Sequence, residues 1–329
     1  MENAVTKYGV YIEGRFQETD ASVDILAPYD GARLATVGYA SYTQALAAVE
    51  YAEGRFAAIR DTENEAIVQG LSDLYDLLSQ ALEDVAQTIA LEAGKPIVLA
   101  RAELERGLTV IQDGIAAAKA FGQDQPLDLN RDGYTATTRR FPMGVIYGIT
   151  PFNFPLNLLL HKLIPAIASK NLIIIKPGVQ TPVTALKLAE LIEKSSLPTG
   201  MCQIFPCEND VAQTILENPR VRCLSFTGST GVGRYLQSLV PSKKVLLECG
   251  GMASMIVDET ADVEAAATAA VNGGFAYAGQ TCISVQHVYI HESVYEQIKA
   301  IILAKTQGLK YGDPLDETVS LSSLISDTA

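Results

Sequence analysis

Gly144-Val-Ile-Tyr-Gly-Ile149-Thr-Pro-Phe-Asn153-Phe-Pro155 decides how this chain is read: a short apolar run ends in a polar, proline-flanked cluster where a helix is due to begin. The pattern then recurs. Strand candidates Leu172-Ile-Ile-Ile175, Cys202-Gln-Ile-Phe205, Val221-Arg-Cys-Leu-Ser-Phe226 and Lys244-Val-Leu-Leu-Glu248 follow, separated by helical stretches that start near Pro155, Pro182, Asp210 and Thr230. Strands alternating with helices predict parallel pairing through crossover helices, an α/β doubly wound sheet. Ligands of such sheets bind beyond the carboxyl ends of the strands, so the residues just after each strand carry the functional reading.

Upstream of this run the pattern is helical. Apolar residues recur at helical spacing through Thr43–Ile59, through Glu63–Leu91 and through Val98–Phe121, and Gly94-Lys-Pro96 stops the second of these helices. Residues 8–38 read as short strands broken by the turn Tyr29-Asp30-Gly31. Pro126 to Phe141 is polar, β-branched and centred on Asp132-Gly133, which predicts a hairpin outside the main core. It serves either association between subunits or nothing beyond a solvated ribbon.

The length of 329 residues and 48% apolar content predict a globular chain of about two domains. Twenty-five basic against 38 acidic residues give a net charge of −13, which disfavours nucleic acid and anionic membranes as partners. The amino terminus shows no basic stretch leading into an apolar one, and no apolar run reaches membrane-spanning length. Five cysteines without a C-x-x-C pair fit neither a disulfide framework nor a thiolate metal site, so a cytoplasmic location is expected. His161, His287 and His291 do not cluster at ligand spacing, and no metal is expected.

Four strand ends and one loop carry the candidate chemistry. Asn153, in Thr150-Pro-Phe-Asn-Phe-Pro155, is either a fixed donor for a developing oxyanion or the cap of the following helix. Lys176, in Lys176-Pro-Gly-Val-Gln180, is either a salt-bridged surface lysine or a ligand for ribose or phosphate. Phe226-Thr-Gly-Ser-Thr-Gly231-Val-Gly233 runs a strand through a glycine-rich turn into a helix, where backbone amides can cradle a pyrophosphate. Its Gly-x-x-Gly-x-Gly order departs from the common dinucleotide fingerprint. Glu248, before Cys249-Gly-Gly251, is either a general base or a partner for the next element. Cys282, in Gly279-Gln-Thr-Cys-Ile-Ser284, follows a small-residue run and precedes the strand candidate Val285–Ile290. It is either an exposed nucleophile or a small core residue.

Taken together, Pro151-Phe-Asn-Phe-Pro155, Lys176-Pro, Phe226-Thr-Gly-Ser-Thr230, Glu248-Cys-Gly-Gly251 and Gly279-Gln-Thr-Cys282 resemble, in order and spacing, the NAD(P)-dependent aldehyde dehydrogenase superfamily. The continuation Cys282-Ile-Ser-Val-Gln286 is most similar to the lactaldehyde dehydrogenase-like branch. The resemblance implies that family's fold: a Rossmann-like NAD(P)-binding domain at 1–125 and 143–250, an oligomerisation hairpin at 126–142, and the start of an α/β catalytic domain at 251–329. It implies a dimer or tetramer at full length.

The resemblance also implies roles. Cys282 attacks the aldehyde, Asn153 and the Cys282 amide hold the oxyanion, and Glu248 activates the water that hydrolyses the thioester. Members that pass the acyl group to coenzyme A usually lack this glutamate, so its presence favours hydrolysis. Lys162 matches a proton-relay position. Lys176 matches the adenosine-ribose site and Ser229 the pyrophosphate site, while Thr227 and Gly228 lie near the nicotinamide. Thr150, Pro151, Phe152, Gly178, Val179, Phe226 and Val232 complete the expected cofactor contacts. Val179 stands where NAD-preferring relatives carry a glutamate, so NADP is expected to be accepted at least as well as NAD. Members of the family continue beyond the position matched by Ala329, which suggests a C-terminally truncated chain. Two other functions stay open: a catalytically impaired chain that only binds nucleotide or pairs with a full-length subunit, and a thiol hydrolase that needs no nicotinamide.

Overall fold

A computed structural model describes residues 6–129 and 133–329. The first part of the chain forms β1 (Thr6–Tyr8), β2 (Val10–Ile12), β3 (Arg15–Gln17), β4 (Ala21–Leu26) and β5 (Arg33–Tyr39). Four helices follow: α1 (Tyr42–Arg60), α2 (Asn64–Gln80), α3 (Leu82–Ala93) and α4 (Ile97–Ala120). The antiparallel ribbon β6 (Gln125–Leu127) and β7 (Ala136–Thr138) comes next, with Asp132 of its expected turn outside the described residues.

The alternating part is β8 (Val145–Ile149), α5 (Asn157–Ala168), β9 (Leu172–Lys176), α6 (Pro182–Lys194), β10 (Cys202–Ile204), α7 (Asn209–Glu217), β11 (Val221–Gly228), α8 (Thr230–Leu239) and β12 (Lys244–Cys249). Strands β8 to β12 are parallel, as their apolar runs predict, and lie in the order β12-β11-β8-β9-β10. From outside the alternating run, β2 and β3 extend this sheet to seven strands: β2 pairs antiparallel with β10 and β3 with β2. Strand order reverses at β8. Strands β9 and β10 build outward on one side and β11 and β12 on the other, so the crevice between β8 and β11 is the topological switch point.

Beyond the sheet come β13 (Ala253–Val257), α9 (Val263–Phe275), β14 (Val285–Ile290) and α10 (Glu292–Gln307), with β13 and β14 paired in parallel. Among the described residues, buried apolar side chains form two clusters. The larger packs the helices on the seven-stranded sheet, from Tyr8 to Val240, whereas the smaller joins Val257, Ala266, Ala267 and Ile298.

One expected helix is two. The stretch Glu63–Leu91 breaks at Ala81, whose φ of −93° and ψ of 6° end α2 and let α3 take a new direction, packing on α4 and α6. No glycine or proline marks this break, and α2 packs on the same two helices, α4 and α6, and also on α5. Gly94 does end α3 as expected, at φ +59°, and a Cβ there would meet the Ser323 Oγ at 2.4 Å.

Candidate active site

At the switch point the ends of β8, β11 and β12 are held level by sheet register. Phe226 pairs with Ile149, Ile149 with Lys176, and Thr227 with Glu248. Residues just past these rows therefore converge on one mouth. They line a cleft of about 1030 Å³ that contains Asn153, Lys162, Glu248 and Cys282 together. Thr150, Pro151 and Phe152 border it from β8, Gly178 from β9, and Phe226 to Ser229 with Val232 from the β11–α8 turn.

Cys282 is the exposed cysteine of the five; Cys202, Cys207 and Cys223 are buried and Cys249 is half-buried. The core reading of Cys282 is thus excluded. It sits on a strained approach: after α9, Tyr277 and Ala278 adopt φ of +50° and +52°, a region that costs an L-residue about 1–2 kcal/mol. What holds this turn is Tyr277, buried and donating its hydroxyl to the Ala93 carbonyl at 2.5 Å. The Cys282 N–H has no acceptor among the described residues, so it is free to serve a ligand.

Asn153 does not cap α5, whose first residue is Asn157 and whose N-cap position is Leu156. Its Nδ2 donates to the Gln280 carbonyl at 2.8 Å, two residues before the nucleophile candidate. One N–H is thereby fixed, and the other remains for an oxyanion. Its backbone carbonyl accepts from Lys95 Nζ at 2.6 Å. Gln280 and Lys95 were missed in the sequence. Gln280 lies within Gly279-Gln-Thr-Cys282, where nothing local marks its carbonyl as an acceptor, and nothing local marks Lys95 as reaching a loop 58 residues away.

Lys162 is buried on α5 and crosses the switch point, donating to Ser225 Oγ at 3.1 Å and Thr227 Oγ1 at 2.8 Å on β11. Desolvation by burial pulls its pKa down to about 8, against the opposing charge of Glu248. Glu248, next to last in β12, is exposed into the cleft and has no hydrogen bond or ion pair among the described residues. It precedes a strand, not a helix, so it caps nothing.

The helix N-termini around the sheet differ. Buried Glu103 accepts from Leu156 N and Asn157 N at the start of α5, and buried Glu92 from Val183 N and Thr184 N at the start of α6. At α8, among the described residues, only the Ser229 hydroxyl accepts, from Val232 N, and nothing lies within 4 Å of a Cβ added to Gly231. This open, dipole-positive end beside the cleft suits a diphosphate. Gly178 lies so close to the Pro151–Phe152 backbone that an added Cβ would stand 3.1 Å from it.

Two expected cofactor residues lie off the cleft. Lys176 is buried, not a salt-bridged surface lysine; burial lowers its pKa while Cys207 and Glu208 oppose the shift, and its ammonium has no partner among the described residues. Val179 borders a neighbouring cavity of about 810 Å³ with Tyr29 and Gln180. No group of three or more His, Cys, Asp or Glu side chains is placed to hold a metal ion among the described residues, and no helix there is long and apolar enough to cross a membrane.

Residues 16–329 match the model of the aldehyde dehydrogenase family. The chain is 35% identical over 326 residues to a 3-sulfolactaldehyde dehydrogenase of Priestia aryabhattai, covering 98% of this chain and 68% of that protein. It is 33% identical over 324 residues to a lactaldehyde dehydrogenase of Methanocaldococcus jannaschii, covering 96% and 69%. A solved structure of an Escherichia coli NADP-dependent enzyme superposes with a TM-score of 0.93 at 30% identity, over 98% of this chain and 68% of that one.

Proposed function

This chain belongs to the aldehyde dehydrogenase family and is an oxidoreductase for aldehydes, and from that premise we propose how its residues divide the work. The observation that carries the proposal is the convergence of Cys282, Asn153, Lys162 and Glu248 on one cleft at the switch point. The Cys282 thiolate attacks the aldehyde carbon, and the alkoxide that forms accepts from the Asn153 amide and the Cys282 N–H. The hydride leaving that carbon would need an acceptor, which a bound NAD(P) would supply, and Cys282 would then carry the acyl group as a thioester. Glu248 then takes a proton from water as its oxygen attacks the thioester; the carbon–sulfur bond breaks, the acid leaves and the thiolate is restored. Lys162, with its lowered pKa beside Glu248, relays that proton outward.

The cofactor's diphosphate is assigned to Ser229 and the open amides of α8, its nicotinamide end to Thr227 and Gly228, and its adenosine ribose to Lys176. The unfilled helix end and the unpartnered Lys176 ammonium support this fit. With no carboxylate at Val179, NADP meets less repulsion than in a site that carries one. The two clusters of buried apolar side chains support a cofactor-binding unit at 1–125 and 143–250 and a second unit from 251. The β6–β7 ribbon, with Leu127 and Phe141 exposed, is assigned to association between subunits. The substrate is a small aldehyde of the kind the two relatives are named for.

The test follows reduced cofactor with time for Glu248→Gln and Cys282→Ala, with NADP and with NAD. Glu248→Gln is expected to keep a stoichiometric burst and lose turnover, Cys282→Ala to lose both, and NADP to saturate at least as readily as NAD. Unchanged turnover in Glu248→Gln, or a strong preference for NAD, overturns the corresponding assignment.

A further inference from the structure

Beneath the cleft lies a charged pair that none of the steps above uses. Lys95 and Glu103 are both fully buried, and their side chains meet at 2.5 Å. Glu103 spends its second oxygen on Leu156 N and Asn157 N, both at 3.0 Å, at the start of α5. Lys95 donates to the Asn153 carbonyl and lies between two rings, 3.9 Å from the centre of Phe154 and 4.7 Å from that of Tyr277. These contacts gather four segments: the loop after α3, α4, the β8–α5 loop, and the strained turn that leads to Cys282.

A buried ion pair is a weak source of stability, because desolvation of both charges offsets most of their attraction and an apolar pair of similar volume does as well. What such a pair does provide is direction, since an ammonium among fixed acceptors and rings has few alternative placements. Here both ends of that direction fall on the reaction machinery. We propose that Lys95, oriented by Glu103, is a positioning residue for aldehyde oxidation: it pins the Asn153 carbonyl and the Tyr277 ring, and so sets the Asn153 amide against the Cys282 loop. Asn153 has two anchors, Lys95 on its backbone and the Gln280 carbonyl on its side chain. Losing the first lets the amide swing with the loop, and the oxyanion loses a donor held at fixed distance. The proposal rests on Asn153 acting as that donor.

The test uses the whole chain with Lys95→Met and Glu103→Gln combined, so that no lone charge is left buried and a side-chain oxygen remains for the α5 amides. Four variants are compared with the unaltered chain: this pair, Asn153→Ala, all three changes together, and Lys95→Gln with Glu103→Gln. Acylation of Cys282 is read from the burst of reduced cofactor and, without cofactor, from nitrophenolate release by p-nitrophenyl acetate, whose attack by the thiolate passes through the same oxyanion. Cofactor affinity and thermal midpoint are measured alongside.

The expected result is a loss of acylation rate of about tenfold or more in the pair, by either readout, with cofactor affinity unchanged. Asn153→Ala should cost little further in the pair's background, since the two act as a unit. Lys95→Gln with Glu103→Gln restores a donor for the Asn153 carbonyl and should recover part of the rate. Acylation unchanged in the pair overturns the proposal, as does a full additive loss in the combined variant or a lowered midpoint with no rescue by glutamine. If Asn153→Ala alone leaves acylation unchanged, the donor assignment fails first, and the proposal falls with it.

Discussion

The starts of α5 and α6 and the start of α8 lie at the same end of one sheet, and they are finished differently. The first two each abut a fully buried glutamate, Glu103 and Glu92, which accepts from two backbone amides. The third has one weak hydroxyl contact from Ser229 and open space around Gly231. Free amides at a helix start are costly when buried and useful when exposed to an anion. The filled ends fix the scaffold under the cleft; the open end is left for a ligand. A built-in acceptor thus serves the scaffold, whereas its omission beside a cleft leaves amides that can receive an anion.

Removing a filled end should have the largest effect. Glu103→Ala frees two amides and strands the Lys95 charge in the interior, so a loss of about 3–5 kcal/mol is expected in denaturant unfolding. A loss below about 1 kcal/mol would show that Glu103 is not the support assigned to it. Filling the open end is the converse experiment. Ser229→Asp should stabilise α8 by about 0.3–1 kcal/mol through the helix dipole. It should also weaken cofactor binding tenfold or more, about 1.4 kcal/mol, by repelling the diphosphate. Unchanged affinity in a titration of bound-cofactor fluorescence would place the diphosphate elsewhere.

A further effect is pH-dependent. Burial raises the Glu92 pKa from 4.5 to about 7, although the α6 amides oppose the shift. Between those values the folded chain keeps a proton that the unfolded chain releases. The stability this proton confers is fully present below pH 4.5 and lost as pH rises through 7. Glu92→Gln should remove that part of the slope of thermal midpoint against pH from 5 to 7. An unaltered slope would mean that Glu92 does not titrate there.

Much of this was legible in the chain. Strands β8, β9 and β11 announced themselves because parallel strands covered on both faces are near-continuous apolar runs, and the residues at their ends are the ones a parallel sheet must bring together. The break at Ala81 was hidden, since no residue there resists a helix and both halves pack on α4 and α6. The attachment of β2 to β10 was hidden as well: Tyr11 and Ile204 pair across more than half the chain. The alternatives left open at Asn153, Lys176, Glu248 and Cys282 turned on whether a side chain was capping, paired, or exposed, and sequence carries no such information.

By itself the sequence determined the alternation of strands and helices, the αL stop at Gly94 and the order of the motif residues, because these follow from local backbone preference and side-chain periodicity. Only the tertiary structure decided that Lys95 and Glu103 would meet beneath Asn153, that Lys162 would span β8 and β11, and that α8 would be left uncapped by a carboxylate. Those are relations between segments far apart in the chain, fixed by packing around a shared core, and no local preference encodes them.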